Sequence, residues 1–356
     1  MASLGDGTQQ MSDYERIAWE RLRSVVAERM AKKDRDPVRV RRSMDNASDK
    51  ARDAWDKVPG TDSLEEVLVK ALGGLKDLTL DPAMGSVSEK GVVRRFVKHG
   101  HDVNVISDIR KFDLEQLDQV RPKLRTRYSA AAAVEGAAAG LVITGGEALA
   151  AAGSVFGAGV GAAPGAGSIA GAMAFDAATV IAASARITAH VGTYYGYEVC
   201  TPEEEFFALS ALSFSSSGPQ GAKLMAFQQL SKVTQQLVRN KAWVELNEKL
   251  IVRVITEMFQ RLGLVITKRK LGQAIPVVGV VIGAGLNAGY LQSVGKDAEL
   301  AYRIRFLAEK HDLDPSDLAP PPTAHDATAA AGDYVNIQEI VDTELQKEPG
   351  LTAVDP

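Results

Sequence analysis

The stretch ALAAAGSVFGAGVGAAPGAGSIAGAMAF, from Ala148 to Phe175, contains no charged residue and is built mostly from alanine and glycine. Such a stretch suits either a membrane hairpin or the crowded centre of a helical bundle in water. Its surroundings extend the pattern: between Ser129 and Ala185 only Glu135, Glu147 and Asp176 carry charge, and Pro164 divides the block. This predicts two long helices meeting near Pro164. Gly153, Gly157, Gly161 and Gly165 recur at every fourth position, as do the pairs Gly136 and Gly140, Gly167 and Gly171, Gly279 and Gly283, and Gly285 and Gly289. A spacing of four keeps small residues on one helix face, where two backbones can approach closely. Each glycine inside a helix costs about 0.8–1 kcal/mol relative to alanine, so tight packing has to offset them.

Three features weigh against a simple membrane hairpin. A spanning helix needs about 20 apolar residues, and the run between Glu147 and Pro164 is shorter than that. Alanine and glycine favour insertion less than Leu, Ile, Phe and Val. Asp176 falls in the second arm, where an acid would cost about 2.5–3.5 kcal/mol at the bilayer centre unless paired. Leu271 to Gly295 is the better spanning candidate, being longer and richer in Val and Ile, but Pro276, Asn287 and repeated glycine dilute it. Lys268, Arg269, Lys270 and Lys296 flank it. Buried packing in a soluble or peripheral protein is the preferred reading of Ala148–Phe175, with insertion left open.

Outside these blocks the chain reads as helix throughout, with no convincing strand alternation. Ser12 with Glu15, and Ser63 with Glu66, form capping-box patterns ahead of apolar residues at helical spacing. Gly73 and Gly74 weaken the end of the second helix. Between the two lies a basic connector, residues 29–42, interrupted by Pro37, which reads as solvated chain or as a patch for anionic lipid or a partner. Residues 88–128 predict brief helices separated by Gly100 and by turns near Asp113 and Pro122. Thr201, Pro202 and three following glutamates mark a helix start, and residues 220–263 and 296–311 continue as amphipathic helices. The expected fold is all-α: a compact multi-helix bundle with a central glycine/alanine-rich hairpin and no substantial β-sheet. Residues 1–12 are expected to be disordered. Residues 13–312 are expected to form one helical domain, comprising amphipathic helices 13–128, the small-residue hairpin 129–196 and helices 201–312. The acidic tail 313–356 is expected to be largely disordered, with one short helix near Val335–Leu345.

Composition narrows the function. The formal net charge of -4 argues against a nucleic-acid binder. A single cysteine, Cys200, fits a reducing compartment, and the N-terminus lacks the pattern of a secretory signal, so a cytoplasmic location is expected. At 100° per residue, Asp176, Arg186, His190 and Tyr194 lie near one helix stripe. That stripe reads as a pocket for a small ligand or a proton, or as an internal ion-pair and hydrogen-bond network, and the network is preferred. Glu135 and Glu147 fall about 120° apart on a straight helix and make no catalytic pair. His99, His101 and Asp102 form an HGHD cluster that reads as an exposed loop, since a metal needs more converging ligands. Cys200 lacks an activating neighbour, and the glycine runs lack both the preceding strand and the closing GK[ST] of a phosphate loop. No catalytic residue, metal site or cofactor is expected.

DYERIAWERL at Asp13–Leu22, VEGAAAGL at Val134–Leu141, YYGYEVCTPEEEFFAL at Tyr194–Leu209, and IPVVGVVIGAGLNAGYL followed by KDAELAYRIRFL together resemble the EcsC protein family, in order across residues 13–310. The resemblance implies a bacterial helical protein on the cytoplasmic side of the membrane with no established active site, from a family whose namesake is encoded beside an ABC-type transporter. It marks Tyr14, Glu15, Trp19, Glu135, Gly136, Gly196, Pro276, Gly279, Gly283, Asn287 and Arg305 as fold-determining positions. The expected function is therefore a non-enzymatic, membrane-associated helical protein, accessory to a transporter or to secretion. Its expected partner is the inner-membrane surface or a membrane protein, with peripheral attachment or partial insertion. Two alternatives stay open: a soluble ligand-binding protein or enzyme using the Asp176, Arg186 and His190 stripe, and a pore-forming or membrane-remodelling protein.

Overall fold

The computed structural model describes residues 11–31, 61–122, 124, 128, 166–217, 220–238, 248–273, 284–323, 326 and 334–347. The chain folds as an all-α bundle, with no strand among the described residues. Its helices are α1 (Asp13–Ala31), α2 (Thr61–Gly85), α3 (Glu89–Lys98), α4 (Leu114–Val120), α5 (Ala166–Tyr194), α6 (Pro202–Ser216), α7 (Gln220–Val238), α8 (Glu248–Gln273), α9 (Ala284–His311) and α10 (Ile337–Lys347). Two 3-10 helices, Ile106–Lys111 and Pro315–Leu318, join them.

The centre is α6. Its start follows from the local sequence: Thr201 caps the helix, accepting from the Glu204 N–H at 3.4 Å, and Pro202 opens it. From Phe206 to Phe214 every residue is buried. A helix apolar on all sides has to be enclosed, and α5, α7, α8 and α9 enclose this one. Ser210 donates within the helix to the Phe206 carbonyl at 2.8 Å, whereas Ser213 donates to the Val335 carbonyl at 3.5 Å and Ser216 pairs with the Tyr290 hydroxyl at 2.6 Å.

The described part of the small-residue block is α5, which begins two residues after Pro164. Ala174, Ala177, Ala178, Ala182, Ala185 and Ala189 are buried, and α5 packs chiefly against α2 and α9. These alanines are thus covered by protein. The first arm of the hairpin, with Glu135, Gly136 and Glu147, lies outside the described residues, as do Pro276, Gly279 and Gly283. Leu271–Gly295 is shared between the end of α8, residues 274–283 outside the described set, and the start of α9. Among the described residues no helix is long and apolar enough to cross a membrane.

Gly192 and Gly196 fix the end of α5. The N–H of Tyr197 donates to the Gly192 carbonyl at 3.2 Å and that of Gly196 to Thr193 at 3.1 Å, with Gly196 at φ +86°. This is the left-handed glycine stop of a helix. A Cβ on Gly196 would also stand 2.9 Å from the Arg110 backbone nitrogen, so glycine is what lets the 106–111 turn lie against the end of α5.

Two local expectations change in the fold. Glu15 does not close the capping box. Ser12 accepts from the Glu15 N–H at 3.2 Å, but the Glu15 carboxylate turns inward to the Leu114 N–H at 3.1 Å and to Lys310 at 2.9 Å. Charged and amide donors on other elements outweigh one backbone N–H at its own helix end. In α2 the helix starts at Thr61, ahead of Ser63, and continues through Gly73, Gly74 and Pro82 to Gly85. Burial of Leu68, Leu72, Leu75, Leu80 and Met84 outweighs the weak local propensity.

The described parts of the tail are packed. Leu318, Val335, Ile337 and Ile340 are buried, and α10 lies on α8. Gln229 of α7 holds its start, accepting from the Ile337 N–H at 3.0 Å and donating to Asn336 at 2.9 Å.

A Cβ on Gly192 would come within 2.5 Å of the Tyr302 ring, whereas one on Gly74 would meet nothing within 4 Å. Gly192→Ala is therefore expected to lower stability by about 1–3 kcal/mol, and Gly74→Ala to raise it by about 1 kcal/mol. Urea unfolding midpoints of the two variants check both signs.

Candidate functional site

Several polar groupings lie within the bundle among the described residues. The first runs along α5, where Arg186, His190 and Tyr194 succeed one another at four-residue spacing. Tyr128 meets them: its hydroxyl lies 2.9 Å from His190 Nδ1, and its ring stands edge-on to the imidazole at 5.8 Å. His190 stacks on Tyr194, ring centres 5.6 Å apart, and Tyr194 continues to Phe96. Burial raises the Tyr128 phenol above its ordinary pKa, and the Arg186 charge works in the opposite direction. Arg186 Nε is buried without a hydrogen-bond partner. Asp176 precedes Arg186 by ten residues on the same helix, or about 15 Å along the axis. The stripe therefore divides, and Tyr128, which the sequence reading did not include, completes its lower half.

The second grouping is an ionic seam centred on Arg305. Its Nη1 and Nη2 donate to the two carboxylate oxygens of Glu204 at 2.8 and 2.6 Å, and its Nε donates to Glu309 at 2.7 Å. The guanidinium lies over the Tyr197 ring at 4.0 Å and the Phe207 ring at 4.5 Å. Tyr197 donates to Glu309 at 2.8 Å. Burial lifts the Glu204 carboxyl above its ordinary pKa even against the neighbouring guanidinium. All the hydrogen-bonding capacity of this arginine fork that these contacts use is spent inside the protein, so the arrangement fastens α6 to α9.

The seam continues to the N-terminal elements. Glu15 binds His311 Nε2 at 3.0 Å as well as Lys310 and the Leu114 amide. Burial opposes its ionisation, but the hydrogen bond from Lys310 leads the opposing causes and its pKa is lowered. Tyr14 donates to Asp118 at 2.7 Å, and Asp118 also pairs with Arg303 and Arg121. Trp19 is buried in the core. Of the positions marked by resemblance, Tyr14, Glu15, Trp19, Gly196 and Arg305 thus hold elements together, and the Asn287 side chain lies outside the described set. Sequence reasoning missed Glu204, Glu309, Lys310 and His311. A signal existed: Arg305 and Glu309 stand at i and i+4 within an otherwise apolar helix face.

Lys76 is shared among Asp77, Asp81 and Glu205, at 3.1, 3.1 and 3.2 Å. Burial pushes Glu205 up to about 7, and the Asp81 charge adds to the effect of burial while Lys76 counteracts it. The other candidates are quiet. His99 Nδ1 lies 2.8 Å from the Arg95 carbonyl, and His101 packs against Phe96 and Phe112. Among the described residues no group of His, Cys, Asp or Glu could hold a metal ion. Cys200 is exposed, with its thiol pKa raised by partial burial and by Glu89, which disfavours a nucleophilic thiolate.

Residues 147–307 match the EcsC protein family. This EcsC match begins ahead of α5 and ends two residues past Arg305, so it includes Glu204 and Arg305 but not the DYERIAWERL motif of α1. The chain is also 24% identical over 226 residues to Uncharacterized protein YdbA of Bacillus subtilis (strain 168), covering 63% of this chain and 71% of that one. No solved structure matches.

Arg305→Met is expected to destabilise by about 3–5 kcal/mol, because Glu204 would remain buried without its cation. The further change Glu204→Gln should recover part of the loss, as read by a double-mutant cycle of urea midpoints. A carboxyl whose pKa is raised in the folded state holds a proton that the unfolded chain has released, so Glu205 should erode stability as pH rises from about 4.5 to about 7. Glu205→Gln is expected to flatten that slope and to raise stability at pH 8 by on the order of 1 kcal/mol, measurable from unfolding midpoints at pH 5.5 and 8.

Proposed function

We propose that the protein is a non-enzymatic helical component that docks on an anionic membrane surface, on the cytoplasmic side, as an accessory to a membrane assembly such as an ABC-type transporter. The observation that carries this reading is the outer face of α3. Lys90, Arg94 and Lys98 are exposed there, together with Val97 at 53% exposure, and helical spacing sets all four on one side. Val92 and Phe96 anchor the opposite side in the core. Among the described residues none of the three cations forms an ion pair, in contrast with the closed seams of the interior.

Each cation near an anionic leaflet contributes about 1 kcal/mol, so the α3 face supplies about 3 kcal/mol and attachment by it alone is weak and salt-reversible. The basic segments 29–42 and Lys268–Lys270 add charge by the same rule. A docked mode, with the apolar core turned inward, agrees with the covering of the α5 alanines by α2 and α9. The pore-forming alternative draws no support from those helices.

In low salt the full chain is expected to sediment with phosphatidylserine-containing vesicles, to ignore phosphatidylcholine vesicles, and to be released by about 0.5 M salt. The triple change Lys90→Glu, Arg94→Glu and Lys98→Glu should lower partitioning at least about ten-fold. Equal sedimentation of wild type and triple variant, or equal binding to both lipids, would overturn the reading.

A further inference from the structure

Most cations held inside this bundle face a carboxylate. Lys76 has three, Arg121 has Asp118 and Glu299, Arg303 has Asp118, Arg305 has Glu204 and Glu309, and Lys310 has Glu15 and Asp113. Arg186 departs from the pattern. It sits in the C-terminal half of α5, half-buried, with no carboxylate paired to it among the described residues and with Nε buried and without a hydrogen-bond partner. The buried Nε has lost its hydration without gaining a hydrogen bond, and an anion on the guanidinium would supply the missing partner.

The groups around it are of the type that would complete an anion site. Arg186 stands one turn ahead of His190 on α5, and its charge works on the Tyr128 phenol against the effect of burial. The Tyr128 hydroxyl shares a hydrogen bond with His190 Nδ1 at 2.9 Å. In one arrangement Tyr128 donates to the imidazole. In the other, His190 donates from Nδ1 to the Tyr128 oxygen, and the phenolic hydrogen is released to point at a ligand on Arg186. Both are neutral and differ only in imidazole tautomer. From this juxtaposition we infer that Arg186, Tyr128 and His190 form a binding site for a phosphate group, in which the arginine fork takes two oxygens and the Tyr128 hydroxyl a third.

This site stands apart from the α3 face, on different residues, and the two are separable by experiment. The probe is inorganic phosphate, titrated into the full chain at constant ionic strength with chloride as the balancing anion, with thermal unfolding as the readout. Wild type is expected to show a saturable rise in Tm with phosphate, and Arg186→Met to show none. Tyr128→Phe should require about ten-fold more phosphate for the same shift, and Arg186→Lys should fall between wild type and the methionine variant. Absence of a saturable shift in wild type overturns the inference, as does an Arg186→Met variant that responds like wild type. Should Arg186→Met fail to fold, Tyr128→Phe decides, and a phosphate midpoint equal to that of wild type overturns the site. The Lys90, Arg94 and Lys98 reversal is expected to leave the phosphate response unchanged; loss of the response in that variant would assign it to the α3 face and overturn the Arg186 site. Vesicles containing phosphatidic acid distinguish the source. Competition between them and inorganic phosphate in the charge-reversed variant identifies a lipid headgroup as the ligand, and its absence identifies a free phosphate, either result being compatible with the site.

Discussion

The guanidinium of Arg305 holds the bundle together. It lies between the Tyr197 and Phe207 rings, with Glu204 on one edge and Glu309 on the other. A charge in such a place stabilises only while its partners are complete, because desolvation of an ion costs more than one imperfect contact returns. The donors of this arginine are engaged from two directions at once, α6 through Glu204 and its own helix through Glu309. The rotation and depth of α9 against α6 are thereby fixed, and the register of Tyr302 against Gly192 of α5 follows from them. An apolar interface of similar area would tolerate small slips between helices. A bidentate pair held between two aromatic faces does not.

From that fixed point, charge organises the rest of the N-terminal half. The C-terminal turn of α9 carries Lys310 and His311, whose side chains reach Glu15, and so α1 and the start of α4 are tied to the same helix that carries Arg305. Asp118 performs a similar role one turn away, receiving Tyr14, Arg121 and Arg303. Cations near the end of a helix also suit its dipole, so position and partner reinforce one another. The interior is consequently polar where elements from distant parts of the chain join, and apolar where neighbouring helices stack.

Function divides along the same line. Ionic groups that are closed on themselves have no capacity left for a substrate, which is why the Arg305 and Glu15 clusters read as fastening. Among the groups that remain open in the described residues are the α3 cations on the surface and the Arg186 guanidinium on α5. The first suits a broad anionic surface, since the cations are spaced along a helix without pairing. The second suits a compact anion, since a planar fork stands one helical turn from an imidazole that is itself joined to a hydroxyl.

The helices themselves were legible in the chain. Thr201 and Pro202 announce α6, Gly196 closes α5, the brief helices between 88 and 122 fall where glycine, aspartate and proline divide them, and the short segment near Val335 becomes α10, because these signals act within a few residues. The resemblance to EcsC proteins was visible as well, and the match over residues 147–307 rests on the part of the chain that forms the buried centre. What sequence could not settle was the use of charged side chains whose partners are remote in the chain. Glu15 reads locally as half of a capping box and serves instead as the acceptor for α9. Asp176 reads as a neighbour of His190 on a helical projection, yet rise along the axis separates them while Tyr128 arrives from another segment. Local backbone chemistry is decided over one helical turn, and the sequence by itself determined that much. The pairing of charges is decided by which turns are brought side by side, and only the tertiary structure fixes it, because the strength of an ion pair depends on distance and burial that no linear spacing encodes.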